Sequence, residues 1–137
     1  MKLYMIPPGP PSQVVLTTIY QHGWEDKFEF QFMMPDGKAN KTEEFLALNP
    51  RGQIPTLQDG DTGISEGNAI VRYIHAKIGE NSDFWPTDAL ERTKIEVQIA
   101  HETANLRKVH GALYYAGFIG PLFRGAEKPS AEELKKL

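Results

Sequence analysis

Between Asn49 and Ile74 the chain reads NPRGQIPTLQDGDTGISEGNAIVRYI, and this stretch holds the groups best suited to chemistry. Ile54 stands directly before Pro55, where the pre-proline position is pushed toward extended geometry and the proline nitrogen carries no hydrogen. Gln53 and Ile54 thus offer extended backbone donors and acceptors that can pair, strand to strand, with a peptide-like ligand at a sheet edge. Further on, Ser65, Glu66, Gly67 and Asn68 run into Ala69, Ile70, Tyr73 and Ile74 at helical spacing, which marks a helix start. Unpaired N–H groups and the positive end of the dipole make such a start favourable to an anion. The two features point to a small, anionic, peptidic ligand. The same residues also suit a hairpin that simply leads into a helix.

The chain has no cysteine, so it has no disulfide, thiolate metal site or cysteine nucleophile. Any thiol chemistry must use a ligand's thiol. His22, His75, His101 and His110 are isolated and lack metal-ligand spacing, so no metal is expected.

Positioning these groups requires a folded scaffold, which 137 residues at 40% hydrophobic and 24% charged can build as one small domain and part of a second. A formal net charge of -3 gives no electrostatic reason to expect nucleic acid or an acidic membrane as partner. No apolar run is long enough to span a bilayer, and no signal-peptide core follows Met1, so a cytoplasmic location is expected.

Lys2 to Ile6 reads as a strand that stops at PPGPP, a segment too proline-rich for helix. Val14, Val15, Leu16, Ile19 and Tyr20 then recur at helical spacing, with Ser12 as N-cap and Gly23 as stop. Phe28, Phe30 and Phe32 alternate with polar residues as in a strand with one buried face. After the loop MPDGKANK, Thr42 caps a short helix from Phe45 to Leu48. A hairpin over Pro55 to Ser65 and a helix to Lys77 follow. The order is β-α-β-α-β-β-α. It predicts a mixed sheet, with a parallel first unit and a hairpin adding antiparallel edge strands. Asp88 to about Tyr115 reads as one long amphipathic helix, broken by Gly117, Gly120 and Pro121. A capping box at Ser130 and Glu133 then opens a final short helix. That helix is too short to stand alone, which leaves the second domain incomplete.

On N-P-R-G-Q-I-P (Asn49 to Pro55), S-E-G-N-A-I (Ser65 to Ile70) and F-W-P (Phe84 to Pro86), the whole chain resembles the glutathione transferase superfamily, most closely its phi- and theta-like members. The resemblance implies an α/β fold: a thioredoxin-like, glutathione-binding domain over 1–79, a linker over 80–87, and the start of an all-α C-terminal domain over 88–137. It also implies a cis peptide at Ile54-Pro55 and glutathione as co-substrate, conjugated to a small hydrophobic electrophile in detoxification, by a homodimer when full length. Ile54 matches the residue whose backbone pairs with the cysteinyl part of glutathione, and Gln53 the amide beside it. Glu66 matches the carboxylate that meets the γ-glutamyl ammonium. Lys41 matches a basic residue for the glycyl carboxylate, although a solvated loop lysine would look the same. Asn40 falls where phi-like members often carry a histidine. Tyr114, Tyr115 and Phe118 lie where the family's second domain borders the electrophile pocket, with core packing the favoured reading of these residues.

Some positions depart from the family pattern. Gly67 stands where a serine usually meets the γ-glutamyl carboxylate, so its backbone N–H is the remaining donor. Met5 and Gly9 stand where a tyrosine or serine would stabilise the thiolate. Tyr4, one residue earlier on the strand, faces the other way. Ser12 is then the catalytic candidate as well as the expected N-cap. The departures also fit a second function, a catalytically degenerate scaffold or protein-interaction module.

Overall fold

The structure is a computed structural model describing residues 1–34, 38–79 and 84–136. Parts of the expected MPDGKANK loop (35–37) and of the expected linker (80–83) lie outside the described residues. The chain forms two compact units, Met1–Asp83 and Phe84–Leu137.

The first unit is built on a four-stranded sheet in the order β2-β1-β3-β4. Strand β1 (Lys2–Met5) leads into helix α1 (Pro10–Gln21) and then strand β2 (Glu29–Phe32), which pairs parallel to β1 with Leu3 opposite Phe30. Helix α2 (Glu43–Leu48) follows, capped by Thr42, whose hydroxyl accepts the Phe45 N–H. Strands β3 (Thr56–Asp59) and β4 (Thr62–Ser65) form the antiparallel hairpin, and helix α3 (Gly67–Ile78) closes the unit. This is the mixed thioredoxin-like sheet implied above.

Two expectations change. The hairpin is not all edge: β3 pairs antiparallel with β1, Leu57 opposite Leu3, and of the two hairpin strands β4 alone lies at a rim. Thr56 and Leu57 are both wholly buried, so this run needs cover on both faces, as an interior strand has. Helix α1 also begins earlier than expected. Pro10 and Pro11 form its first turn after Gly9 as N-cap, because a proline at the first helical positions gives up an N–H that would have no intrahelical partner.

The core joins Leu3 and Leu57 from the sheet, Val15, Leu16 and Ile19 from α1, Phe28 before β2, and Ile70, Val71 and Ile74 from α3. Burying an aliphatic side chain of this size contributes about 1.5–3 kcal/mol, so this cluster fixes α1 and α3 on one face of the sheet. The phenylalanine alternation is only partly expressed: Phe28 is buried, but Phe32, at the end of the edge strand β2, is 47% exposed.

The second unit is helical. Helix α4 (Ala89–His101) starts at Asp88, whose carboxylate accepts the Leu90 and Glu91 N–H groups. A π turn over Glu102–Leu106 leads to α5 (Arg107–Tyr114), and a second over Tyr115–Ile119 to α6 (Gly120–Phe123). The glycines and Pro121 therefore do not end the helix near Tyr115. The wider π turn absorbs Gly117, and Pro121 falls at the start of α6, where it gives up no needed donor. Helix α7 (Ala131–Leu134) carries the expected capping box of Ser130 and Glu133. Among the described residues no helix is long and apolar enough to cross a membrane.

Candidate functional site

Three segments of the first unit meet where the chemistry was sought. A Cβ on Gly67, at the start of α3, would lie 2.8 Å from the Pro11 carbonyl oxygen in the first turn of α1 and 3.9 Å from Pro55 Cγ. The Ile54-Pro55 peptide is cis. The first turns of α1 and α3 thus flank the proline that leads into β3.

Asn49 shapes the loop before that proline, a role sequence reasoning missed. It is buried, and its Nδ2 donates to the Gln53 carbonyl and to Thr56 Oγ1, each at 2.9 Å, while its Oδ1 accepts the Arg51 N–H at 3.2 Å. A polar side chain that is both buried and fully bonded rigidifies the backbone around it. Gly52 lets the loop turn: its φ is +60°, and a Cβ there would meet Lys41 Nζ at 2.7 Å and the Asn40 carbonyl at 2.8 Å. Asn40 Nδ2 in turn donates to the Gly52 carbonyl at 2.6 Å, and Lys41 Nζ lies 3.5 Å from the same oxygen. Asn40 and Lys41 are therefore brought to the loop that ends in Gln53 and Ile54. The Gln53 carbonyl is taken by Asn49 and by the Thr56 hydroxyl. Half-buried Ile54 precedes β3 instead of joining a ladder, which leaves its backbone outside the sheet pairing.

Glu66 is the one described non-glycine residue with positive φ, at 71°. Such a conformation costs on the order of 1–3 kcal/mol and persists where the surroundings impose it, often at functional sites. Its side chain does not cap α3. Instead the carboxylate accepts Arg51 Nη1 at 2.9 Å. Arg51 is a second residue that sequence reasoning passed over; its place in the NPRG turn is the only signal it gives. Gly67, the first residue of α3, is buried and presents one of the first-turn N–H groups that no residue within a helix can satisfy.

Ser12 is not the N-cap of α1, a place that Gly9 takes. The serine is 1% exposed and lies inside the first turn of α1, where its Oγ accepts the Ile6 N–H at 3.2 Å. That bond ties the PPGPP segment back to the end of β1, because the helix starts two residues before Ser12. The hydroxyl therefore faces the interior. Tyr4 donates its phenol to Gln58 Oε1 at 3.0 Å and packs edge-on against Phe45, as expected of the opposite face.

Among the described residues no group of three or more His, Cys, Asp or Glu gathers as a metal site would require. The histidines are nevertheless not all isolated. His22 and His75 meet at 5.0 Å between ring centres, and Trp24 packs against both. Burial, and then the nearby His22, push the His75 imidazole below its ordinary pKa. In the helical unit Tyr114 and Phe118 stack at 5.3 Å.

Residues 1–76 match the family model described as glutathione S-transferase, N-terminal domain. Over 137 residues the chain is 36% identical to glutathione S-transferase 3 of Zea mays, covering 99% of this chain and 60% of that relative. Glutathione transferase F7 from Populus trichocarpa aligns in three dimensions with a TM-score of 0.83 at 27% identity, over 98% of this chain and 62% of that one. Human glutathione transferase theta-2, solved with glutathione and an unknown ligand, gives a TM-score of 0.83 at 24% identity, over 98% and 54%, and so shows the fold alone. The chain thus spans roughly 54–62% of these three relatives. With its sheet order, its cis-proline loop and this family match, the chain belongs to the glutathione transferase superfamily.

Proposed function

We propose that this chain binds glutathione at the junction of α1, the cis-proline loop and α3, and that the whole protein conjugates the glutathione thiol weakly to small hydrophobic electrophiles. The observation that carries the reading is the convergence of an Ile54 backbone outside the sheet ladder with the Glu66-Gly67 start of α3. A peptide with one free amino-acid end fits both at once. The cysteinyl part pairs with the Ile54 backbone, the γ-glutamyl ammonium meets Glu66, and the γ-glutamyl α-carboxylate accepts the Gly67 N–H at the positive end of α3. Lys41 takes the glycyl carboxylate, while Asn40 and Gln53 shape the wall between them.

The chemical step is a proton loss followed by attack. The thiol gives up its proton to solvent water, the thiolate sulfur bonds to the electrophilic carbon, and the leaving group departs with the electron pair of the bond it breaks. A free thiol titrates near ~8.5, so the site gains rate by favouring the thiolate. Met5 and Gly9 bring no hydroxyl, and the Ser12 hydroxyl faces inward. The α1 dipole is then the chief stabiliser, and turnover is slow.

Met5, Gly9 and Gly67 favour the second reading, a scaffold or interaction module without catalysis. In either case the expected setting is a homodimer in the cytoplasm. Titration calorimetry with glutathione tests the binding. Glu66→Ala is expected to weaken it by about 1.5–3 kcal/mol, the usual worth of a hydrogen bond to a charged group. Unchanged affinity in that variant would move the site elsewhere. Binding without detectable conjugation of any electrophile tried would favour the scaffold.

A further inference from the structure

Arg51 and Glu66 form an ion pair at 2.9 Å on the rim of the candidate site, with 66% and 56% of their side chains exposed. An exposed pair of this kind adds little to folding stability, so the fold gives no reason for a rare positive φ at Glu66 to support it. Next to the pair, Gly67 cannot take a side chain without displacing the Pro11 carbonyl, a backbone atom, since a Cβ would come within 2.8 Å of it. No hydroxyl can therefore be supplied from that position for a ligand carboxylate. The Arg51 guanidinium, held at 2.9 Å by the Glu66 carboxylate, is a cation at the start of α3.

We propose that Arg51 is a ligand-binding residue of this site, and that with Glu66 it reads the zwitterionic amino-acid end of the peptide. The inference rests on the glutathione reading above and deepens it. An α-amino acid end carries its ammonium and its carboxylate on one carbon, and a guanidinium and a carboxylate 2.9 Å apart offer the complementary charges at matching spacing. The ligand ammonium donates to the Glu66 carboxylate. The ligand carboxylate accepts from the planar guanidinium fork and from the Gly67 N–H, so Arg51 exchanges part of its bond to Glu66 for a two-point bond to the ligand. The class of ligand so selected is the γ-glutamyl peptide with both α-groups free.

The test titrates glutathione, and an analogue lacking only the α-carboxylate (γ-aminobutyryl-cysteinyl-glycine), up to millimolar concentration into wild type, Arg51→Ala and Arg51→Lys. Arg51→Ala is expected to weaken glutathione about tenfold or more while leaving the analogue within about twofold of its wild-type affinity. Arg51→Lys keeps the charge without the fork and should fall between, and it serves as second variant should the alanine form fold poorly. Unchanged or tighter glutathione binding in Arg51→Ala, or an equal loss for both peptides, overturns the assignment. A wild-type chain that binds neither peptide overturns the glutathione reading and Arg51 with it. A wild type that binds glutathione while Arg51→Ala binds it equally well overturns the Arg51 assignment alone.

Discussion

Asn49 holds the binding loop from inside, through bonds to Gln53, Thr56 and Arg51. Removing it leaves the Gln53 carbonyl and the Arg51 N–H without their amide partner in a turn anchored by the buried Asn49 and Gly52. Asn49→Ala is therefore expected to lower stability by about 1–3 kcal/mol, read in a urea melt, and to weaken glutathione as the Ile54 backbone loosens. Ser12 makes the opposite case at the same scale. Its hydroxyl serves the PPGPP loop, so Ser12→Ala should lower turnover by less than ~10-fold, equivalent to about 1.4 kcal/mol, and should lower the melting temperature as well. A larger loss of turnover at unchanged glutathione affinity would show that the loop turns Ser12 outward when ligand is bound.

At the scale of elements, α1 and α3 are packed side by side on the sheet, and their far ends are joined by the cluster of His22, Trp24 and His75. Burial holds the His75 imidazole below its ordinary pKa, with His22 adding to the effect. The unfolded chain, with its imidazole near the ordinary ~6.5, therefore binds more protons than the folded one just below that pH. The stability tied to His75 is fully present above about pH 6.5 and is lost as pH falls toward the folded value. Thermal melts at about pH 7.5 and about pH 5.5 should thus show a smaller acid-induced drop for His75→Gln than for wild type. Equal drops would assign the acid sensitivity elsewhere.

For the whole molecule, the helical unit leaves Leu90, Val97, Leu106, Val109 and Leu122 exposed, each by 45% or more. A helix with so wide an apolar face needs further cover, and the chain spans only part of its relatives' length. The full-length protein is expected to be a two-fold dimer, with the α4 helix near the interface. Light scattering at micromolar concentration checks this, and a monomeric mass there would refute it.

The sequence alone determined what local physics governs. Pro55 forced an extended Ile54, Thr42 and Asp88 capped their helices, the Ser130-Glu133 spacing gave a capping box, and Asp-Gly chemistry turned the hairpin. Each depends on neighbours a few residues away, and each is legible in a short window. Tertiary structure decided what depends on distant partners. Whether β3 is edge or interior turns on Leu3 lying opposite Leu57. The pairing of Arg51 with Glu66 and the closeness of Pro11 to Gly67 arise because the sheet and the α1–α3 packing fold remote segments onto one proline. No local pattern encodes such distances. The position of a catalytic-looking residue was therefore readable from the chain, while its accessibility, as Ser12 demonstrates, was not.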